Sequence, residues 1–237
     1  MLCSIPIHLL CSRGIFKADR LLNTTGRDLA ASLISVYGPR VTTALAIDQR
    51  YTASGAPICL ELTMLVPQWS VSNKQFQIKP KGNTFAPGNL RATFDNKQYA
   101  DLVRYWIDNK YTLRYSGGLV PDVYHILIKG QGVLSNASSP TAKAKLRLLF
   151  EAIPIALIME AAGGASCVCP SESGETIAPQ SILDVPVNDM DRRVGVCYGS
   201  KDEVWRFQSY IFSSTAPAEQ QLSPSNVRIG DKVRTIE

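Results

Sequence analysis

The chain has 237 residues, 45% of them hydrophobic and 19% charged. That length suits one large domain or two modest ones, the apolar share excludes a disordered chain, and 16 scattered glycines and 14 prolines exclude a collagen-like or low-complexity one. Twenty-five basic against 20 acidic side chains leave a charge of +5, which suits an anionic small ligand and falls short of a polycationic nucleic-acid binder.

In chain order, Thr25-Gly26-Arg27-Asp28 reads as a helix entry, with Thr25 as N-cap and Asp28 in the first turn. Leu29, Leu33, Val36 and Tyr37 recur at helical spacing until Gly38-Pro39 stops the run. Residues 41–47 read as a strand, 50–57 as a turn, 59–66 as the partner strand of a hairpin and 75–78 as a third short strand. The stretch 79–89, rich in Lys, Pro, Gly and Asn, is the expected boundary between an N-terminal unit (1–81) and a C-terminal one (82–212).

A helix is expected over 96–109, with Tyr99, Leu102, Val103, Trp106 and Ile107 on one face. Residues 111–115 read as a strand running into Ser116-Gly117-Gly118. Val120-Pro121 then opens a helix that turns Val123, Tyr124, Ile126 and Leu127 inward. Residues 145–150 read as a strand or turn, and 154–162 as a helix closed by Gly163-Gly164. Further strands are expected at 181–185 and 194–198. Ser200-Lys201-Asp202-Glu203 has the form of a capping box, opening a helix with Val204, Phe207 and Ile211. Residues 213–237 read as a flexible tail. Strands alternate with helices throughout the second half, so the class is α/β.

No run reaches the roughly 18 apolar residues of a membrane span, and the apolar start lacks preceding basic residues, so no membrane segment and no secretory or transit signal is read. The six cysteines contain no C-x-x-C pair. Cys167 and Cys169 have neither His8 nor His125 near them in sequence, so reduced, buried thiols of an intracellular protein are expected in place of a zinc site. Hydrolase, P-loop and dinucleotide motifs are absent, as is any nucleic-acid motif.

Three segments can carry chemistry. Arg114-Tyr115-Ser116-Gly117-Gly118 offers a cation and a phenol beside glycines and a helix start: a phosphate cradle, or an ordinary strand–turn–helix with a surface Arg. In 145–151, Lys145 and Arg147 share a strand face. Either Lys145 pairs a phosphate and Glu151 holds a hard metal ion, or the face is solvated and Glu151 caps the helix. The loop 85–91, with Asn89 and Arg91, is a contact for a polyol phosphate or a plain turn.

Several blocks in order resemble the fructose-1,6-bisphosphatase family. They are Thr25-Gly26-Arg27-Asp28, Tyr37-Gly38-Pro39-Arg40, Ala86-Pro87-Gly88-Asn89-Leu90-Arg91-Ala92, Lys110-Tyr111-Thr112-Leu113-Arg114-Tyr115, Val120-Pro121-Asp122-Val123, the run 139–151, Glu160-Ala161-Ala162-Gly163-Gly164 and Tyr198-Gly199-Ser200-Lys201. Asn136, where the fructose enzymes usually have Tyr, leans toward the sedoheptulose branch. The resemblance implies a layered αβαβα sugar-phosphatase fold, with the C-terminal half complete and the N-terminal half partial. It implies a phosphoric monoester hydrolase of carbohydrate metabolism that removes the 1-phosphate of sedoheptulose 1,7-bisphosphate, or of fructose 1,6-bisphosphate, with Mg²⁺.

Asn89, Arg114, Tyr115 and Lys145 correspond to sugar-phosphate contacts. By the same resemblance, Arg114 matches an arginine that in the family reaches into a neighbouring subunit's site, which implies a homodimer or higher homo-oligomer. Glu151 corresponds to a metal ligand. The photosynthetic relatives imply a chloroplast location, with the cytoplasm as alternative. The family's Asp-Pro-Leu-Asp-Gly-Ser metal motif falls upstream of the matched region and is absent from this sequence, so an N-terminally truncated chain lacking the main metal site is expected. The other reading is a non-catalytic phosphosugar-binding or regulatory subunit. Residues 166–178 read as an insertion in the family pattern, and 51–69 as an expanded hairpin.

Overall fold

The computed structural model describes residues 10–16, 22–65, 68–73, 75–169 and 178–212. Thr25 opens a capped turn but not a helix. Its hydroxyl accepts from the Arg27 amide at 3.2 Å, and Asp28 accepts from the Thr25 amide at 2.9 Å. The turn Gly26–Asp28 then runs straight into a strand. The helical spacing of Leu29, Leu33 and Val36 is overridden by ladder pairing on both sides.

That strand is β2 (Leu29–Val36). With β1 (Leu10–Phe16), β3 (Thr42–Ile47), β4 (Ile58–Leu65) and β5 (Gln68–Asn73) it forms an antiparallel sheet in sequence order. The expected 41–47 and 59–66 hairpin is β3–β4, paired from Thr42↔Thr63 to Ile47↔Ile58. The expected strand at 75–78 is an irregular connection instead. Its amides are pegged one at a time, Phe76 to the Cys59 carbonyl and Ile78 to that of Ala162, both at 2.7 Å.

The second sheet has the order β10-β12-β8-β6-β7, built from β6 (Thr84–Gly88), β7 (Thr112–Leu113), β8 (Val133–Asn136), β10 (Ala165–Val168) and β12 (Val196–Gly199). A short ribbon pairs β9 (Leu146–Arg147) with β11 (Arg193–Val194). Strand β6 lies inside the stretch that composition marks as a boundary. Its Pro and Gly suit a buried strand end, because a Cβ on Gly88 would sit 2.9 Å from the Ser135 carbonyl. Strand β10 likewise occupies the start of the expected insertion, whose residues 170–177 lie outside the described ones, as does the expected tail. Residues 181–185 are not a strand: Ile182–Asp184 form a turn capped by Ser181.

Helices α1 (Lys97–Asp108) and α4 (Lys201–Ile211) cover one face of the second sheet, whereas α2 (Leu119–Lys129) and α3 (Ile153–Ala161) lie between the two sheets. Alternation along the strands sorts the two faces. Phe85, Val133, Cys167 and Cys197 join Tyr99, Trp106 and Phe207 in one core. Ala86, Leu134, Val168 and Tyr198 join Ile153, Ile158, Leu29, Ile34 and Ala44 in the other. The described residues thus make layers in the order β, α, β, α. The α/β class stands, and the first α layer of the expected αβαβα order is not among the described residues. Residues on both sides of position 82 share the inner core.

Two details depart from the expected capping. Pro121 is the third residue of α2, which begins at Leu119. The Ser200 capping box does not form: its hydroxyl accepts from the Gly132 amide at 3.2 Å, and Glu203 turns to other partners. Gly199 sits at φ 142°, and a Cβ there would fall 2.1 Å from the Gly132 carbonyl oxygen. Gly199→Ala is therefore expected to cost at least about 1–3 kcal/mol from backbone strain alone, read as a lower urea midpoint with an unchanged slope.

Candidate functional site

The site grows from the C-terminal ends of β6 and β8, which run parallel with Gly88 opposite Asn136. Asn89 follows at φ 52° and ψ 45°, a left-handed conformation that Asn tolerates better than most residues. Its amide nitrogen donates to the carbonyls of Ala137 and Ala142, at 2.8 and 2.7 Å. One side chain thereby ties the loop after β6 to the loop after β8. Beneath it the Tyr99 hydroxyl donates to the Gly88 carbonyl at 2.7 Å, and burial pushes that phenol well above its usual range. Asn89→Asp would turn two donors into acceptors facing carbonyls. About 2–3 kcal/mol of stability should be lost, measured by denaturant titration.

The β8 loop is fixed by further bonds. Ser139 accepts from the Ala142 amide at 3.1 Å and Ser138 from that of Ala144 at 2.8 Å. Asp95 accepts from the amide and hydroxyl of Thr141, at 3.0 and 2.8 Å. The hydroxyls of Ser139 and Thr141 hold the Asp95 carboxyl below the usual carboxylate range. This bracing orders the stretch that carries Lys143 and Lys145.

Between these loops lies a cleft of about 370 Å³, lined by Asn89, Leu90, Arg91, Tyr115, Asn136, Lys143 and Lys145. Its charged lining is one arginine and two lysines with no carboxylate. A dianionic phosphate attached to a polyol matches that charge and size: the cations take its oxygens in charge-assisted bonds, and amide and phenol groups suit hydroxyls.

Three of the sequence-predicted residues, Asn89, Tyr115 and Lys145, meet in this cleft. Arg114 is not among its lining residues. It is exposed and donates to its own neighbour's carbonyl, Leu113, at 2.9 Å. Partial burial, then Lys129 and Arg114, hold the His125 imidazole below its usual range. Glu151 also lies elsewhere. Its carboxylate accepts from the Arg147 amide at 2.6 Å, across the π-helical turn Leu148–Ala152 that leads into α3. The capping alternative is the arrangement seen. Arg147 turns to Asp191 at 3.4 Å and does not share the cleft with Lys145.

Sequence reasoning left Lys143 and Asn136 out of the site. The signal for Lys143 was its i, i+2 relation to Lys145. The signal for Asn136 was its place at the end of a strand parallel to the one before Asn89. Among the described residues no group of three or more His, Cys, Asp or Glu side chains could hold a metal ion. Glu151, whose Oε2 accepts the Arg147 amide, is a single carboxylate and does not make a divalent-metal centre by itself. No hydrolytic step is therefore derived from the described residues.

Residues 78–212 match the family model described as the fructose-1-6-bisphosphatase C-terminal domain. The chain therefore belongs to the fructose-1,6-bisphosphatase family. It is 43% identical over 202 residues to the chloroplastic sedoheptulose-1,7-bisphosphatase of Chlamydomonas reinhardtii, covering 85% of this chain and 49% of that protein. A class 1 fructose-1,6-bisphosphatase of Trichlorobacter lovleyi is 32% identical, covering 86% of this chain and 59% of that protein. Among solved structures, a Toxoplasma gondii protein described as a sedoheptulose-1,7 bisphosphatase superposes with a TM-score of 0.69 at 44% identity, over 81% of this chain and 59% of that one. Leishmania major fructose-1,6-bisphosphatase shares the fold at 22% identity and a TM-score of 0.66, over 80% of this chain and 56% of that one. The chain spans about half the length of the chloroplastic relatives it matches.

Proposed function

We propose that the protein is a sugar bisphosphatase acting on sedoheptulose 1,7-bisphosphate, with residues 82–212 as its phosphosugar-binding unit. The observation that carries this is the carboxylate-free cationic cleft of Arg91, Lys143 and Lys145 beside Tyr115 and Asn136. Such a cleft suits a retained phosphate; the family resemblance implies that the 1-phosphate is the one removed, which leaves the 7-phosphate for the cleft. Lys145, Lys143 and Arg91 neutralise the bound phosphate. Tyr115 and Asn136 contact its oxygens or the adjoining hydroxyl.

Arg114, exposed and outside its own cleft, is the residue proposed to serve a neighbouring copy in a homo-oligomer. Mg²⁺ is the proposed metal by family resemblance, with Glu151 as one ligand through the carboxylate oxygen that does not take the Arg147 amide. A chloroplast location is supported by the names of the plant and algal relatives, and bacterial relatives keep the cytoplasmic alternative in view.

Calorimetry with sedoheptulose 7-phosphate and with sedoheptulose tests the cleft. The phosphorylated sugar should bind at least ten-fold more tightly, and equal affinities would refute the reading. Phosphate release from sedoheptulose 1,7-bisphosphate with Mg²⁺ tests the activity. Binding without release would point to the non-catalytic phosphosugar-binding alternative.

A further inference from the structure

Just past β7 the Arg114 amide donates to the Phe85 carbonyl at 2.9 Å. The chain then leaves the sheet, and residues 115–117 are exposed before α2 begins at Leu119. This stretch brings Tyr115 to the cleft. Packing does little to hold it: Gly117 sits at φ 89°, and a Cβ there would meet nothing within 4 Å. The hold comes from inside the molecule. The Ser116 amide donates to Asp122 Oδ1 at 2.7 Å, and Ser116 Oγ accepts from the Gly118 amide at 3.3 Å.

Asp122 is 4% exposed and stands in the first turn of α2. Its other oxygen, Oδ2, is buried with no hydrogen-bond partner among the described residues. Sealing a carboxylate oxygen without a donor is costly. The side chain therefore weighs against stability on one oxygen and anchors the loop of the site with the other. The anchored amide is the one next to Tyr115, so the bond fixes the backbone from which the phenol is presented.

We infer that Asp122, which does not line the cleft, is a positioning residue that sets Tyr115 against the sugar phosphate. The inference rests on the phosphosugar reading of the cleft. The cations stand on other loops, Arg91 after β6 and Lys143 and Lys145 after β8. Asp122 thus governs how the sugar is read and leaves the attraction for phosphate alone. The competing role is electrostatic only: an acidic residue facing the amides at the start of α2, where Gly118 supplies no side-chain cap.

Calorimetry on the full chain with sedoheptulose 7-phosphate, and competition by inorganic phosphate, tests this. Asp122→Ala should weaken the sugar phosphate about ten-fold, the scale of one hydrogen bond lost from the complex, and leave inorganic phosphate unchanged. Tyr115→Phe should weaken it by a similar factor. The double variant should bind no more weakly than either single one, because both act through the same contact. Asp122→Asn keeps an acceptor for the Ser116 amide and removes the charge, so it should stay within about three-fold of the parent. If Asp122→Ala fails to fold, hydrogen exchange at the Ser116 amide of the unaltered chain decides. It should slow with sedoheptulose 7-phosphate and stay as it was with inorganic phosphate, and no slowing would overturn the inference. Additive losses in the double variant, an equal loss of inorganic phosphate, or an Asp122→Asn as weak as Asp122→Ala would each overturn it and leave the cleft reading standing. A parent chain that does not bind sedoheptulose 7-phosphate would overturn both.

Discussion

Lys145→Ala lowers the affinity for sedoheptulose 7-phosphate roughly ten- to a hundred-fold, the equivalent of one charge-assisted hydrogen bond of about 1.5–3 kcal/mol. Lys145 lines the cleft with Lys143 and Arg91, and no acidic side chain lines it to offset the loss. The variant should fold normally, because the braces of this loop are Asn89, Ser138, Ser139 and Asp95, none of which uses Lys145. Binding in the parent chain should also weaken as salt is raised, and the variant's salt slope should be shallower because one cation fewer is screened. Calorimetry across ionic strengths reads both effects. An unchanged affinity would place the phosphate elsewhere.

Glu203→Ala costs about 3–5 kcal/mol of stability, the range for breaking a buried ion pair from one side. Glu203 is fully buried beneath α1. Its two carboxylate oxygens accept from Tyr111 at 2.9 Å, Arg206 at 3.3 Å and Trp106 at 3.4 Å. Arg206, itself stacked on Tyr105 at 4.3 Å and only 11% exposed in its side chain, would be left charged without its partner. The Tyr111 phenol, pushed above its usual range by burial and by this carboxylate, should titrate at lower pH in the variant. Urea unfolding measures the first effect and ultraviolet titration of tyrosine the second. A loss under 1 kcal/mol would mean that Arg206 finds water in the variant.

The sequence was most legible where one strong pattern acted alone. The apolar stripe of Tyr99, Leu102 and Trp106 located α1, although Ile107, placed on the same face, is 56% exposed. Asn96 caps that helix through the Tyr99 amide at 2.9 Å. The sequence was misleading where two periods fitted the same residues. Leu29, Leu33 and Val36 satisfy a helix, and only pairing with β1 and β3, distant in sequence, selects the strand. Ser200-Lys201-Asp202-Glu203 has the letters of a capping box, yet buried partners on α1 and immediately before β8 claim both side chains.

The same division holds at the site. Asn89, Tyr115 and Lys145 are legible because each sits in a block that resembles the family. The work of Asn89 as a clasp between two loops is not, because it depends on carbonyls 48 and 53 residues away. Nor is the turning away of Arg147, which is set by Asp191 in the turn before β11.

Helix α3 is apolar around almost its whole circumference, with every residue from Ile153 to Ala161 buried except Glu160. A helix of that kind has no face it can offer to water, so neither sheet can present its inner surface in finished form without the other. Residues from both sides of position 82 pack around that helix, Ile34 and Ala44 from the first sheet and Leu134 and Val168 from the second. The two sheets share one buried axle, and the chain loses both together when that axle is exposed.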